Sequence, residues 1–217
     1  MTSREGLSPD LLDAAVSMLG RAERLGAVRV LGDSMRPTLG SGDLLAVEFA
    51  GERPRRGDLV VYRQADYLTV HRHLGRARFP DGRPCLRTRG DGSIALDPPV
   101  APESVVGRAV AVRRDGRWRR LDGRLARVYA IAVAGHDLAW AALAVLASRT
   151  VDRALARLGA RSPGRRIAAA ADRALLRIAD RILFRRVHRA APPPPGLDGN
   201  GGPIGAGASV PPSPLLY

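Results

Sequence analysis

Residues 27–121 alternate between short apolar or β-branched runs and clusters of turn formers, the pattern of strands with at least one buried face. The runs are Val28–Leu31, Leu44–Glu48, Asp58–Tyr62, Leu68–His71, Cys85–Thr88 and Val105–Arg113. Between them stand Gly40-Ser41-Gly42-Asp43, Arg55-Arg56-Gly57-Asp58, Asp81-Gly82 and Gly90-Asp91-Gly92. Glycine turns a chain because it accepts positive φ, and aspartate because its carboxylate bonds its own backbone. The spacing predicts a compact, mainly β domain over 27–121, and no internal repeat interrupts it.

The periodicity is helical on either side of that domain. In residues 1–26, Ser8 is placed as an N-cap with Pro9 in the first turn, and Leu11, Leu12, Ala15, Val16 and Leu19 share one face. This predicts an amphipathic helix packed on the following domain, too short and too charged to cross a bilayer. Residues 122–190 are rich in alanine and arginine, and 124–158 predict a long helix or a helix pair. Within them Val128–Ala147 has the length of a membrane span but carries His136 and Asp137. A central aspartate costs about 2.5 to 3.5 kcal/mol on insertion scales, so a packed or interfacial helix is expected in preference to a span. After a turn at Ser162-Pro163-Gly164, Ile167, Ala171, Leu175, Ile178 and Ile182 form a stripe flanked by arginines in a second helix, Arg165–Arg189. Such a basic amphipathic helix suits an anionic membrane surface and equally a packed, solvated position. Residues 191–217 open with four prolines at 192–195, lack material for a core and are expected to be disordered.

Composition narrows the chemistry. The net charge of +14 comes from arginine alone, because the chain contains no lysine. A basic balance suits an anionic partner, membrane or nucleic acid, and is also what simple composition bias produces. Cys85 is the single cysteine, which excludes an intrachain disulfide and a thiolate metal cluster. His71, His73, His136 and His188 lack metal-ligand spacing beyond the weak His71/His73 pair, so no metal or cofactor is expected.

The chemistry-bearing segment is Gly32-Asp33-Ser34-Met35-Arg36-Pro37-Thr38-Leu39, which follows an apolar strand and precedes Gly42-Asp43. It resembles the nucleophile box of the signal peptidase I family, shared with the self-cleaving repressors of the bacterial damage response. Three further segments resemble that family in the same order: Arg56-Gly57-Asp58-Leu59-Val60-Val61-Tyr62, Val70-His71-Arg72, and Thr88-Arg89-Gly90-Asp91 through Asp97 to Val106-Gly107-Arg108. The resemblance covers residues 28–112. It implies a β-rich catalytic domain with Ser34 as nucleophile and Pro37 beside the substrate, while Met35 is expected either to line the substrate groove or to be a core methionine.

A serine hydroxyl is a poor nucleophile until a base in hydrogen-bond reach takes its proton. Relatives with a Ser-Lys dyad use a neutral lysine, which this chain lacks, and arginine stays protonated at any useful pH. The lysine position of the motif holds His71, which is similar to the Ser-His branch of the endoplasmic reticulum, archaea and spore-forming bacteria. Histidine titrates near neutrality and serves as a base without an extreme environment. The resemblance places supporting aspartates at Asp91 and Asp97; Asp97 is favoured as the orienting group, and Asp91 as structural or secondary. His73 shares the strand face of His71, but the motif favours His71 as the base and leaves His73 a packing role. The backbone N–H of Ser34 is the natural oxyanion donor; Gly32 lacks the side-chain hydroxyl that some relatives place there.

The expected function is a serine endopeptidase that cleaves signal or leader peptides from precursor proteins, associated with a membrane or otherwise cytoplasmic. One alternative is a catalytically silent domain whose basic helices bind membrane or nucleic acid, against which the joint retention of Ser34, His71 and Asp97 weighs. Another is a cytosolic self-cleaving regulator. The 27 residues before Val28 are too few for a helix-turn-helix domain, and no Ala-Gly or Cys-Gly site precedes Ser34. Nucleic acid is therefore not the expected partner.

Overall fold

A computed structural model of the chain describes residues 25–49, 53–64, 67–93, 95–136, 138–139, 188, 190–197 and 215–216. The strands are β1 Leu25–Val30, β2 Leu44–Phe49, β3 Leu59–Gln64, β4 Tyr67–Arg78, β5 Pro84–Arg89, β6 Val105–Arg114, β7 Arg117–Arg120 and β8 Leu215–Leu216. One 3-10 turn, Pro102–Ser104, leads into β6. The architecture is β-rich, as the turn spacing predicts, and a helix, α1, follows the strands over 124–136.

Strands pair in the order β2-β1-β8-β4-β3-β6-β7, and β2 also pairs with β6, so six of them close into a ring. Closure removes the exposed edges that an open sheet would present. Every pairing in the ring is antiparallel except those of β8, which runs parallel to both β1 and β4. β5 lies outside the ring, paired with β4.

Side chains alternate across each strand, which sorts the apolar residues into separate clusters. Leu45, Val47 and Phe49 of β2, Leu59 and Val61 of β3, and Leu68 and Val70 of β4 meet Val28, Val30, Met35 and Leu39 in the main core. The opposite face of β3, Val60 and Tyr62, packs with Leu86 and Val100, and that of β2, Leu44 and Ala46, with Ala111, Trp118 and Leu197. Both faces of β2 and β3 are therefore covered, the reason these segments read as continuous apolar runs. Burying side chains of this size stabilises a fold by about 1.5 to 3 kcal/mol each, before the entropy of ordering them is set against it.

α1 docks through Ala126, Ala130, Val133 and Ala134, which recur at steps of three and four along one helix face. Arg127 of α1 pairs with Asp58, and a Cβ on Gly57 would lie 2.8 Å from the backbone of Ala130, so the Gly57-Asp58 turn is the helix's seat. Among the described residues no helix is long and apolar enough to cross a membrane. The opening helix and nearly all of Arg165–Arg189 lie outside the described residues, as does the C-terminal part of Val128–Ala147. β1 starts at Leu25, inside the stretch expected to be helical, because Leu25–Arg29 ladders onto β2. Two pieces of the Pro/Gly-rich tail lie against the sheet: Ala191 N donates to the Trp118 carbonyl at 3.0 Å, with Leu197 buried in the same cluster as that tryptophan, and Leu215–Leu216 forms β8.

Candidate active site

Ser34 sits in the turn that leaves β1. Backbone bonds from Arg36 N to the Asp33 carbonyl at 3.0 Å and from Leu39 N to the Met35 carbonyl at 2.9 Å wind this turn tightly. Its Arg36-Pro37 peptide is cis. The far end is fixed by Asp43, whose carboxylate accepts from Gly40 N at 2.9 Å and from Arg114 Nη2 at 2.6 Å. Arg114 Nη2 also donates to the Thr38 carbonyl at 2.8 Å, so the Gly42-Asp43 pair acts as a brace for the serine turn.

His71 comes from β4, opposite Val60 of β3. Its Nε2 stands 3.0 Å from Ser34 Oγ, and its Nδ1 stands 2.6 Å from Asp97 Oδ2. A carboxylate only accepts, so Nδ1 carries the proton, and Nε2 is left to accept from the serine hydroxyl. Asp97 is held in place by its own N–H on the Thr88 carbonyl at 3.0 Å, and the Leu86–Val100 bridge follows directly. The Tyr62 hydroxyl lies 3.2 Å from Nδ1, with its ring edge-on to the imidazole at 6.1 Å between centroids. Burial first, and then the Asp97 charge, push the Tyr62 pKa well above the usual phenol range, so the hydroxyl keeps its proton.

Close approach explains the glycines of the Gly90-Asp91-Gly92 box. A Cβ on Gly90 would lie 2.6 Å from the Ser34 carbonyl and 3.0 Å from His71 Nε2. Gly92 N donates to the Ser34 carbonyl at 2.8 Å, which ties the loop to the nucleophile turn. Any side chain at Gly90 would wedge the serine and the histidine apart.

Asp91 is placed among the site residues by sequence, but the structure turns it away from His71. It meets Arg72 Nε at 2.8 Å and Nη2 at 2.6 Å, and it accepts from the Thr38 hydroxyl. Adjacent strand residues face opposite ways, so Arg72 projects towards the inside of the ring while His71 faces Asp97. Of the two positions expected for Met35, the groove is not the one found: at 1 % exposure it is a core side chain, in the cluster of Val28 and Leu39. Pro37 remains partly exposed in the serine turn. His73 is buried on β4, where burial lowers its pKa, and it lines a cleft with Glu48, Cys85 and Arg108 that contains none of Ser34, His71 or Asp97. Among the described residues no cluster of three or more His, Cys, Asp or Glu side chains is placed to hold a metal ion.

The sequence model of the Peptidase S24-like family matches residues 5–77. That stretch is about a third of the chain; it contains Ser34 and His71 and ends before Asp91 and Asp97. The S24-like match supports a serine-peptidase-type site without singling out one branch. No curated protein and no solved structure gives a significant match to the chain.

Sequence reasoning missed Tyr62 and Arg72. A signal existed for each. Val60 and Tyr62 share one face of β3, which meets the His71 face of β4, and an arginine between two histidines on a strand must turn inwards if they face out. The inward position requires a carboxylate partner, because a buried guanidinium without one is costly.

Proposed function

We infer that the chain is a serine endopeptidase in which Ser34 is the nucleophile, His71 the general base and Asp97 the orienting carboxylate. One observation carries this reading: an unbroken line from Ser34 Oγ through His71 Nε2 at 3.0 Å and Nδ1 to Asp97 Oδ2 at 2.6 Å. Three residues far apart in sequence meet in the geometry that nucleophilic acyl transfer needs.

Attack of Ser34 Oγ on a peptide carbonyl transfers the hydroxyl proton to His71 Nε2 and forms a tetrahedral adduct. Asp97 stabilises the imidazolium and holds the productive tautomer. The Ser34 N–H, in its tight turn, is the proposed oxyanion donor. Collapse of the adduct breaks the C–N bond, and the His71 proton passes to the leaving amine. Water, deprotonated by His71, then hydrolyses the acyl-enzyme. The absence of lysine is no obstacle, since the base on this line is an imidazole.

The resemblance to signal peptidases suggests a precursor or leader peptide as substrate, extended, with small residues before the scissile bond and delivered at an anionic membrane surface. A self-cleaving role is the second reading, favoured by the S24-like match. It would appear as fragmentation of the chain itself at a rate independent of protein concentration.

The test is cleavage of a peptide panel with Ala-x-Ala sites, in lipid, by wild type beside Ser34→Ala, His71→Ala and His73→Gln. Losing Ser34 or His71 should cost about 10⁴- to 10⁶-fold, while His73→Gln stays within a few-fold. Equal cleavage by Ser34→Ala would remove the proposal.

A further inference from the structure

The ring of strands is closed by residues from the end of the sequence. β8 fills the space between β1 and β4: Leu215 and Leu216 pair with Arg29 and Val30 on one side, and Leu216 pairs with Leu68 on the other. β1 and β4 form no pairing with each other, so without β8 the ring has a slot there. The slot is bounded by the two strands that carry the site, since β1 runs directly into the Ser34 turn and β4 bears His71. Its walls offer two rows of backbone donors and acceptors, the arrangement that captures an extended peptide by strand addition.

We propose that Leu215–Leu216 occupies this slot as an intramolecular pseudosubstrate, in the place that a substrate strand added on the acyl side of the scissile bond would take. The proposal rests on the peptidase reading of Ser34. Direction and register argue for it. β8 runs parallel to β1 and β4, so a chain in this lane heads, N- to C-terminal, towards the serine. Leu216 is level with Leu68, three positions before His71, and with Val30, four positions before Ser34. At about 3.3 Å per residue, a peptide following the same path presents a carbonyl to Ser34 some three to four residues beyond the Leu216 position. The Leu216 position therefore lies some three to four residues short of the nucleophile, and a strand docked there stands in the path of any other peptide approaching along this lane.

A tethered segment competes at an effective concentration on the order of millimolar. A strand of intrinsic Kd about 0.1 mM would then be docked roughly ten times more often than not, and its removal would raise access to Ser34 about tenfold. The experiment compares the full chain, a chain ending at Val210 and the full-length Leu216→Pro, in which the proline removes a ladder donor. Two readouts are taken: labelling of Ser34 by a fluorophosphonate, whose fluoride leaves as Oγ bonds to phosphorus, and amide exchange over residues 25–30 and 67–70. Expected are roughly tenfold faster labelling and faster exchange in both variants, reversed in the shortened chain by about 1 mM of a peptide spanning residues 209–217. Equal labelling and exchange in all three chains would overturn the pseudosubstrate and leave the peptidase reading standing. Faster exchange with no labelling in any chain would instead overturn the peptidase reading, and with it the inhibitory role of the docked strand.

Discussion

Two neighbouring residues of β4 each meet an aspartate from the stretch after β5. His71 Nδ1 stands 2.6 Å from Asp97, and Arg72 reaches the two oxygens of Asp91 at 2.6 and 2.8 Å. The side chains of His71 and Asp97 are 10 % and 15 % exposed; those of Arg72 and Asp91 are 3 % and 1 % exposed. Arginine cannot release its proton at any useful pH, so the inner pair is a fixed charge couple that also holds Thr38 and the Gly57 carbonyl. Histidine can release its proton, and this outer pair is the one whose imidazole also meets Ser34 Oγ. One loop thus supplies two carboxylates, one to a guanidinium that is always charged and one to an imidazole beside Ser34.

Exchanging the two aspartates for neutral residues is the sharpest way to break this comparison. Asp97→Asn keeps the shape but favours the wrong imidazole tautomer, and cleavage should fall by about 10⁴-fold with little change in melting temperature. Asp91→Ala removes the buried carboxylate that meets Arg72 Nε and Nη2, a loss of about 3 to 5 kcal/mol, which a thermal melt should read as roughly 10 °C or more. If Asp91→Ala melted like wild type while losing activity, the assignments would have to be exchanged.

Ser34, His71 and Asp97 were legible because each stands in a short motif whose order along the chain survives without knowledge of register. The inner pair was not. An arginine in a strand looks solvated until both faces of that strand are known to be covered, and this depends on which strands close the ring. The same limit left Met35 undecided between groove and core, since a turn has no period that assigns an inside. β4 extends to Arg78, yet only Leu68–His71 stood out, because Arg76 and Arg78 break the apolar pattern. β7 contains a single apolar residue, Trp118, and β8 has two residues behind a proline-rich run, so neither carries a local period. Their pairing is set by long-range closure alone.

His188 separates the pH dependence of the fold from that of the chemistry. It is buried against Tyr129, with Nδ1 donating to the Arg120 carbonyl at 3.1 Å. Burial, and then the charges of Arg72, Arg119 and Arg114, lower its pKa from 6.5 to about 4, although the bond to Arg120 opposes the shift. Between these values the unfolded chain binds more protons than the folded one, so unfolding free energy rises with pH across that window. The full stability is present above pH 6.5 and drains away towards pH 4, by on the order of 3 kcal/mol. Urea unfolding at pH 7 and pH 5 should show this acid sensitivity in wild type and a flatter response in His188→Gln. Loss of cleavage that persists at pH 5 in folded His188→Gln then reports the protonation of the base rather than melting. A response as steep in the variant as in wild type would move the acid sensitivity to another group.

The smallest expected effect tests whether Tyr62 belongs with the moving proton or with the brace. Its hydroxyl is 3.2 Å from Nδ1, close enough to look like a third member of the proton path. Burial and the Asp97 charge hold the phenol protonated across the range in which the chain would work, so it cannot act as a base there. Its contribution is the contact of its hydroxyl with Nδ1, which helps to hold the imidazole in place, worth about 0.5 to 1.5 kcal/mol net. Tyr62→Phe should accordingly slow cleavage about two- to tenfold and leave the shape of the pH–rate profile unchanged. A fall beyond about a hundredfold, or a profile that loses a limb, would place the Tyr62 proton in the reaction itself. The outer pair would then be a three-residue relay, and its difference from the static Arg72–Asp91 couple would be larger than the distances alone imply.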